Sequence, residues 1–368
     1  MGKRKIIIIT LAAIIIAAIA LSCLYHSPDV GTDGNSTITD MANRTVQVPS
    51  NIDKVLSTRP SVTLLIYMLA PEKLAGINTN WTESELNYIP DKYKHLPVVG
   101  MWNGKISGNY EEFIKIDPDI VIQDIRGDGS DLDVVEERQS NFGNIPVVST
   151  LDSVNITEMS GSITFLGKLL GVEDKASALN AYNEKYLAIV KETASQIPDS
   201  EKKKVYFARD ENGLNTAGPE SCHAQLISFA GGENVANSSD SNGKDFSVSI
   251  EQVIYWNPDL IITTDNDFYN SIYNNSAWAS IKAVKNHQVY LAPDEPANWF
   301  DMPPGVNTIV GIPWVAKVIY PDKYTDIDLI DSTTSFYKEF YHYDLSDKQA
   351  KEILLKSGLN ESAISKEN

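Results

Sequence analysis

Two stretches of this chain are near-copies of one another, and the duplication restricts the possible folds more than any other feature. NYEEFIKIDPDIVIQD runs from Asn109 to Asp124, and SIEQVIYWNPDLIITTD from Ser249 to Asp265. From Glu111 and Glu251 onward the two read in register, with Ile114 on Ile254, Pro118 on Pro258, Asp119 on Asp259 and Ile122 on Ile262. Each copy opens with an acidic residue, which the partial positive charge at a helix N-terminus favours. Each then meets Asp-Pro or Asn-Pro, where the proline ring crowds the preceding residue out of the helical region. The apolar runs Ile120 to Ile122 and Leu260 to Ile262 predict a buried strand. Helix, turn and strand are thus written twice, 140 residues apart.

The flanking segments carry the same rhythm. KVLST (54–58), SVTLLIYMLA (61–70) and KLAGINT (73–79) predict strand, helix and strand, followed by PVVGM, the first copy and IPVVST (145–150). Beyond Pro198 the pattern begins again with KKVYFAR (203–209), SCHAQLISFAGG (221–232), the second copy and QVYLAP (288–293). Strands alternating with helices imply parallel sheets covered by helices. The predicted class is therefore α/β, with two Rossmann-like lobes of mainly parallel sheet and a ligand cleft between them. Between the lobes, segment 174–198 places Leu179, Tyr182, Tyr186, Ile189 or Val190, Thr193 and Ile197 three or four apart with no internal Gly or Pro. That predicts one long helix of roughly 36 Å, a rigid strut between lobes; a crossover helix within one domain is the alternative. Aromatic-rich helices over 335–355 are expected to cap the second lobe.

The N-terminus belongs to neither lobe. Lys3, Arg4 and Lys5 precede an unbroken apolar run from Ile6 to Leu21, then Ser22 and Cys23. A basic start, an apolar run and a small residue make an export signal, and the run is short for a spanning helix, which needs about 20 residues. ALSC resembles a lipobox ending in a lipid-modified Cys23, although Ala20 stands where such motifs usually carry Leu; simple cleavage or retention of the signal are the other outcomes. The polar, aperiodic residues that follow read as a tether. The expected division is signal 1–23, tether 24–48, first lobe 49–172, linking helix 173–198, second lobe 199–358 and polar tail 359–368, with the globular part outside the cytoplasmic membrane.

Cys23 and Cys222 are the only cysteines, so no disulfide within a lobe is expected. A formal net charge of −18 argues against nucleic acid as a partner. The chain's five histidines show no metal-ligand spacing, and HExxH, GxSxG and a phosphate-cradling Gly-rich loop are all absent. Nothing in the sequence calls for an enzyme, a bound metal or a cofactor.

Signal, tether, α/β lobe, long helix and second α/β lobe together resemble the substrate-binding proteins of ABC importers, and within them the class with lobes joined by one helix. That class handles iron–siderophore, haem and cobalamin. The resemblance runs from about Met41 to Gly358 and rests on five phrases in the family's order: RPSVTLLIYMLAPEKLAGINT, NYEEFIKIDPDIVI, AGPESCHAQLISFAGGENVA, SIEQVIYWNPDLII and NWFDMPPGVNTIVGIPWVAKVIYP. One departure is Leu64, where relatives often carry an acidic residue. The resemblance implies a monomer that captures a metal chelate, a ferric siderophore first, and delivers it to a membrane permease with its ATPase. Cobalamin, haem, molybdate or tungstate are the alternative ligands, and a non-transport surface receptor is the alternative role. It also implies that Glu111 and Glu251, one per lobe, dock onto arginines of the permease; good helix chemistry alone is the competing explanation of both.

In open parallel sheets ligands bind beyond the carboxyl ends of the strands. The residues expected there are Arg59, Trp81, Trp102 and Arg126 from the first lobe and Arg209 and Trp299 from the second. Guanidinium groups supply forked donors for oxyanions and indoles supply flat walls, which suits a bulky, partly anionic, partly aromatic chelate. Trp256, Trp278 and Trp314 are expected to be packing residues.

Overall fold

The structure is a computed structural model that describes residues 34–103, 106–237 and 245–364. The predicted signal, Cys23 and the first part of the tether lie outside those residues. Among the described residues no helix is long and apolar enough to cross a membrane.

Strand β1 (Asn35–Thr39) pairs antiparallel with β2 (Thr45–Pro49). This hairpin corrects the expectation of a tether reaching residue 48. Thr45 to Val48 alternate, so Val46 and Val48 turn inward to the core at 8% and 2% exposure. The turn between the strands is held by Asp40, which accepts both the backbone N–H and the guanidinium of Arg44, and also the Ser149 N–H.

β3 (Val55–Ser57), β4 (Ile120–Ile125) and β5 (Val147–Leu151) form the first parallel sheet, in that order. The second part of the chain contributes β6 (Lys204–Ala208), β7 (Asn215–Ala217), β8 (Glu233–Asn234), β9 (Asp245–Ser247), β10 (Leu260–Thr263) and β11 (Val289–Leu291). Of these, four make a parallel sheet in the order β11-β10-β6-β8, while β7 and β9 pair antiparallel. The strand of each repeat, β4 or β10, lies inside its sheet with a neighbour on both edges and helices on both faces. That position explains why these strands are apolar at nearly every residue instead of alternating. The predicted strand at 73–79 is reduced to isolated bridges, Val55 with Leu74 and Ile77 with Val98.

The two repeats also build the same corner. Helix Tyr110–Ile116 is capped by the Asn109 side chain and helix Ile250–Trp256 by Ser249. Both end in a left-handed residue, Asp117 (φ 54°) and Asn257 (φ 46°), a conformation that short polar side chains tolerate. After the proline, the Asp119 carboxylate accepts the N–H groups of Asp53 and Lys54, and that of Asp259 accepts the Lys204 N–H. Each repeat thereby fixes the start of its neighbouring strand.

Helix Glu173–Ser195 links the halves and buries Ala176, Leu179, Asn183, Tyr186 and Val190 along one stripe. It is packed rather than free-standing: Tyr182 Oη donates to the Ser332 carbonyl of helix Leu329–Phe340, and Tyr324 Oη donates to Val190. One continuous core includes Ile120, Ile122 and Val148 from the first sheet, Leu179 and Tyr186 from this helix, and Phe207 and Ile262 from the second sheet. The outer face of each sheet has a smaller core of its own. Helix Pro60–Leu69 is tied to the C-terminal region, where Tyr67 Oη donates to the Tyr341 carbonyl and His342 Nε2 donates to the Tyr67 carbonyl. Residues 359–364 are part of this packing. Leu359 and, in the short helix Glu361–Ile364, Ala363 and Ile364 are buried, which corrects the expected polar tail over its described residues, because these small and apolar side chains face the core.

Candidate ligand-binding site

Where the first sheet ends, four loops surround an open cavity of about 510 Å³. The chain leaves β3 through Thr58 and Arg59, leaves β4 through Arg126, and leaves β5 through Asp152. Asn78 ties two of the loops together by donating to the Ser57 and Gly100 carbonyls, and the Trp102 N–H donates to Thr58. Under the cavity, the Thr58 hydroxyl donates to Gln123 Oε1. The strand ends are thus cross-linked by side chains that leave few backbone groups unsatisfied.

Trp102 and Arg138 make one wall. The guanidinium of Arg138 lies 4.4 Å from the Trp102 ring centroid and donates to the Tyr110 hydroxyl. Tyr110 and Phe113 pack against the same indole at 4.7 and 5.1 Å. Gly108 lies directly on the ring: a Cβ there would approach Trp102 to 2.7 Å, so only glycine lets the loop close over it.

The other side is ionic. Arg59 Nε is 3.4 Å from Asp124 Oδ2, and the Asp124 side chain is only 6% exposed. Burial raises the Asp124 pKa to about 6, partly offset by Arg59 and reinforced by Asp152. Arg126 holds Asp131 with both Nε (3.0 Å) and Nη2 (2.8 Å), and these hydrogen bonds keep the Asp131 carboxyl below its ordinary range. Burial pushes the Asp152 carboxyl upward despite the nearby Arg59.

The second half presents a different arrangement at the carboxyl end of β6. Arg209 pairs with Asp245 and, at 2.9 Å, with Asp301, whose side chain is wholly inaccessible. The other Asp301 oxygen meets His223 Nδ1, and Asn298 holds the turn by accepting the Phe300 and Asp301 N–H groups. One side chain ties this part of the chain to the first half. Gln225 donates to the Val154 carbonyl and accepts the Ile156 N–H, clasping the two halves together. The Cys222 thiol is raised by burial and then by Asp301, Asp152 and Asp245, carboxylates from both halves.

Of the residues expected at the cleft, Arg59, Trp102 and Arg126 line the cavity, whereas Arg209 is held by Asp245 and Asp301 at the end of β6 and is not among the residues lining it. Two are placed elsewhere. Trp81 packs on Tyr67 and donates its indole N–H to the Tyr93 carbonyl, away from the cavity. Trp299 is fully buried, and helix Thr308–Ile319 passes so close that a Cβ on Gly311 would collide with the Trp299 carbonyl. The strand-end rule locates a loop but not the side of it that faces inward. Trp278 and Trp314 are buried. The rule reaches Asp124 beside Arg126 but did not single it out, and it passed over Asp152 and Asp301, because acidic residues are so common in this chain; their signal was position at a strand end or before the Pro-Pro turn. Glu111 and Glu251 are exposed on their helices, and among the described residues neither enters an ion pair. Among the described residues no group of three or more His, Cys, Asp or Glu side chains converges as a metal ion would require.

Comparison with known proteins shows the family and the fold. The chain is 26% identical over 361 residues to the molybdate-binding protein MolA of Haemophilus influenzae, covering 88% of this chain and 96% of that one. It is 28% identical over 293 residues to an uncharacterized ABC transporter substrate-binding lipoprotein, YvrC, of Bacillus subtilis, covering 79% and 87%. An ABC transporter solute binding protein from Sulfurospirillum deleyianum superposes with a TM-score of 0.76 at 28% identity, over 86% of this chain and 98% of that one. The sequence pattern described as Periplasmic binding protein matches residues 55–296, and the chain belongs to that family of solute-binding, non-enzymatic proteins.

Proposed function

We propose that this protein is the extracytoplasmic binding component of an ABC importer, capturing a bulky metal chelate, a ferric siderophore first, between the carboxyl ends of its two sheets. The observation that carries the reading is the cavity of about 510 Å³, walled by Trp102 and Tyr110 and edged by Arg59 and Arg126. That volume lies in the range of sites for drug-sized molecules and exceeds what a single tetrahedral oxyanion fills. On this reading the first lobe (49–172) and second lobe (199–358) are rigid halves, and the exposed Glu111 and Glu251 meet basic pockets on the permease. Cys23 anchors the chain at the outer face of the membrane.

A second reading, molybdate or tungstate, is favoured by one finding, the similarity to MolA over 96% of its length. A thermal-unfolding screen of ferric siderophores, haem, cobalamin, molybdate and tungstate separates the two. A true ligand at 100 times its dissociation constant adds about 2.7 kcal/mol of stability. Stabilisation by a ferric siderophore supports the first reading, stabilisation by the oxyanions alone replaces it with the second, and a flat response to every compound removes both.

A further inference from the structure

The arginines of the cleft are not free receptors for anions. Each guanidinium at the cavity already holds a carboxylate: Arg59 with Asp124, Arg126 with Asp131, and Arg138 with Glu137 at 2.9 Å. Asp152 adds a fourth carboxylate to the lining, against three arginines and no lysine among the described residues. Across the cleft Arg209 is matched by two carboxylates, Asp245 and Asp301. At the cavity of the first half the surplus of charge is negative.

Two of these carboxylates cannot step aside. The Asp124 and Asp301 side chains are 6% and 0% exposed, and Asp301 is pinned from its other oxygen by His223. An anionic ligand on the remaining donors of Arg59 or Arg209 would set its charge beside a buried carboxylate that already faces that guanidinium, and the two like charges would repel at short range. A ligand without negative charge has no such conflict. It meets a cleft with net negative potential, an aromatic wall at Trp102, and guanidinium N–H groups left over from the ion pairs, since each guanidinium carries five donors. Neutral carbonyl oxygens accept those donors without displacing a carboxylate.

We propose that the site selects a neutral or cationic metal chelate, with Asp124 and Asp301 as the residues that reject anions. This inference rests on the chelate reading above and narrows it to ligands of the hydroxamate kind over catecholates and inorganic oxyanions.

The test is a titration of the purified protein, at pH 7.5 and low salt, with four probes. These are a neutral ferric trihydroxamate, a cationic linear ferric trihydroxamate, a trianionic ferric tris-catecholate and sodium molybdate. The expected result is a hydroxamate affinity at least tenfold above that of the catecholate or molybdate. Asp124→Asn is expected to raise the affinity of the catecholate about tenfold and to lower that of the cationic hydroxamate; Asp152→Asn, at a less buried carboxylate, gives the same signs if Asp124→Asn does not fold. Tighter binding of the catecholate or molybdate by the unaltered protein overturns the charge rule and leaves a chelate or oxyanion site standing. No binding of any probe overturns this inference together with the siderophore reading on which it rests.

Discussion

Asp119 and Asp259 do the same job in the two copies of the repeat, whereas the strand ends, Asp124 in one copy and Thr264 followed by Asp265 in the other, do not. The first two follow Ile-Asp-Pro and Trp-Asn-Pro, and both turn their carboxylates onto backbone N–H groups at the start of the adjacent strand. Five or six residues later the copies part. Asp124 ends β4 buried against Arg59 at the cavity, whereas Asp265 follows β10 and caps the helix Asn266–Ser271 by accepting the Phe268 N–H. A duplicated unit therefore retains its chemistry where it shapes the sheet and diverges where the sheet stops. The reason is geometric: strand starts must align with neighbours in both lobes, while strand ends face different loops.

That contrast is open to experiment, beginning with the largest expected effect. If the helix heads are equivalent, replacing both Glu111 and Glu251 by lysine abolishes uptake in cells while ligand affinity of the purified protein is unchanged. Full uptake by the double variant would end the docking role and leave two ordinary helix starts.

The strand ends are told apart by pH. The folded Asp124 carboxyl titrates near 6, well above an ordinary aspartate, so the folded state binds a proton that the unfolded chain has released. Its contribution is fully present below about pH 4 and is lost as pH rises through about 6, on the order of 2–3 kcal/mol. Asp152, also raised, has the same sign. His342 opposes both: burial lowers its pKa, so its protonation on acidification favours unfolding. Comparing urea unfolding of the unaltered protein and Asp124→Asn from pH 4 to 7 isolates the first term. The difference between them should change by about 2 kcal/mol or more across the range; a constant difference would show that Asp124 titrates normally.

At the shared corner the expected effects are smaller. Asp119→Ala removes acceptors for two N–H groups and should cost about 2 kcal/mol, and Asp259→Ala, which loses one N–H and Lys282, about 1 kcal/mol, both partly screened by water. Asp265→Ala removes only a helix cap, about 1 kcal/mol. Equal losses at Asp119 and Asp259 would sharpen the likeness of the two corners; a negligible loss at either would break it.

Much of this was legible beforehand. The period of apolar residues located the strands and the linking helix, because periodicity reports which face is buried whatever the neighbours are. Arg59, Trp102 and Arg126 could be expected beside the cavity they line because each follows a predicted strand. The hairpin at 35–49 was missed because short, Thr-rich strands resemble a polar linker; its docking onto the sheet uses Asp40 reaching Ser149, a contact 109 residues away. Trp299 was misplaced because the loop that carries it turns inward beneath the helix at Gly311, and no local pattern marks that direction.

By itself, then, the sequence determined that helix, turn and strand recur, that two parallel α/β halves result, and that arginines stand at the strand ends. These follow from local rules of spacing, capping and proline geometry. Only the tertiary structure decided what those arginines hold. Arg59 and Asp124 are 65 residues apart and Arg209 and Asp301 are 92 apart, so their pairing exists only once the sheets have formed. Charge at a site is a property of neighbours brought together by folding, and that is why the cleft reads as cationic along the chain and as carboxylate-rich in space.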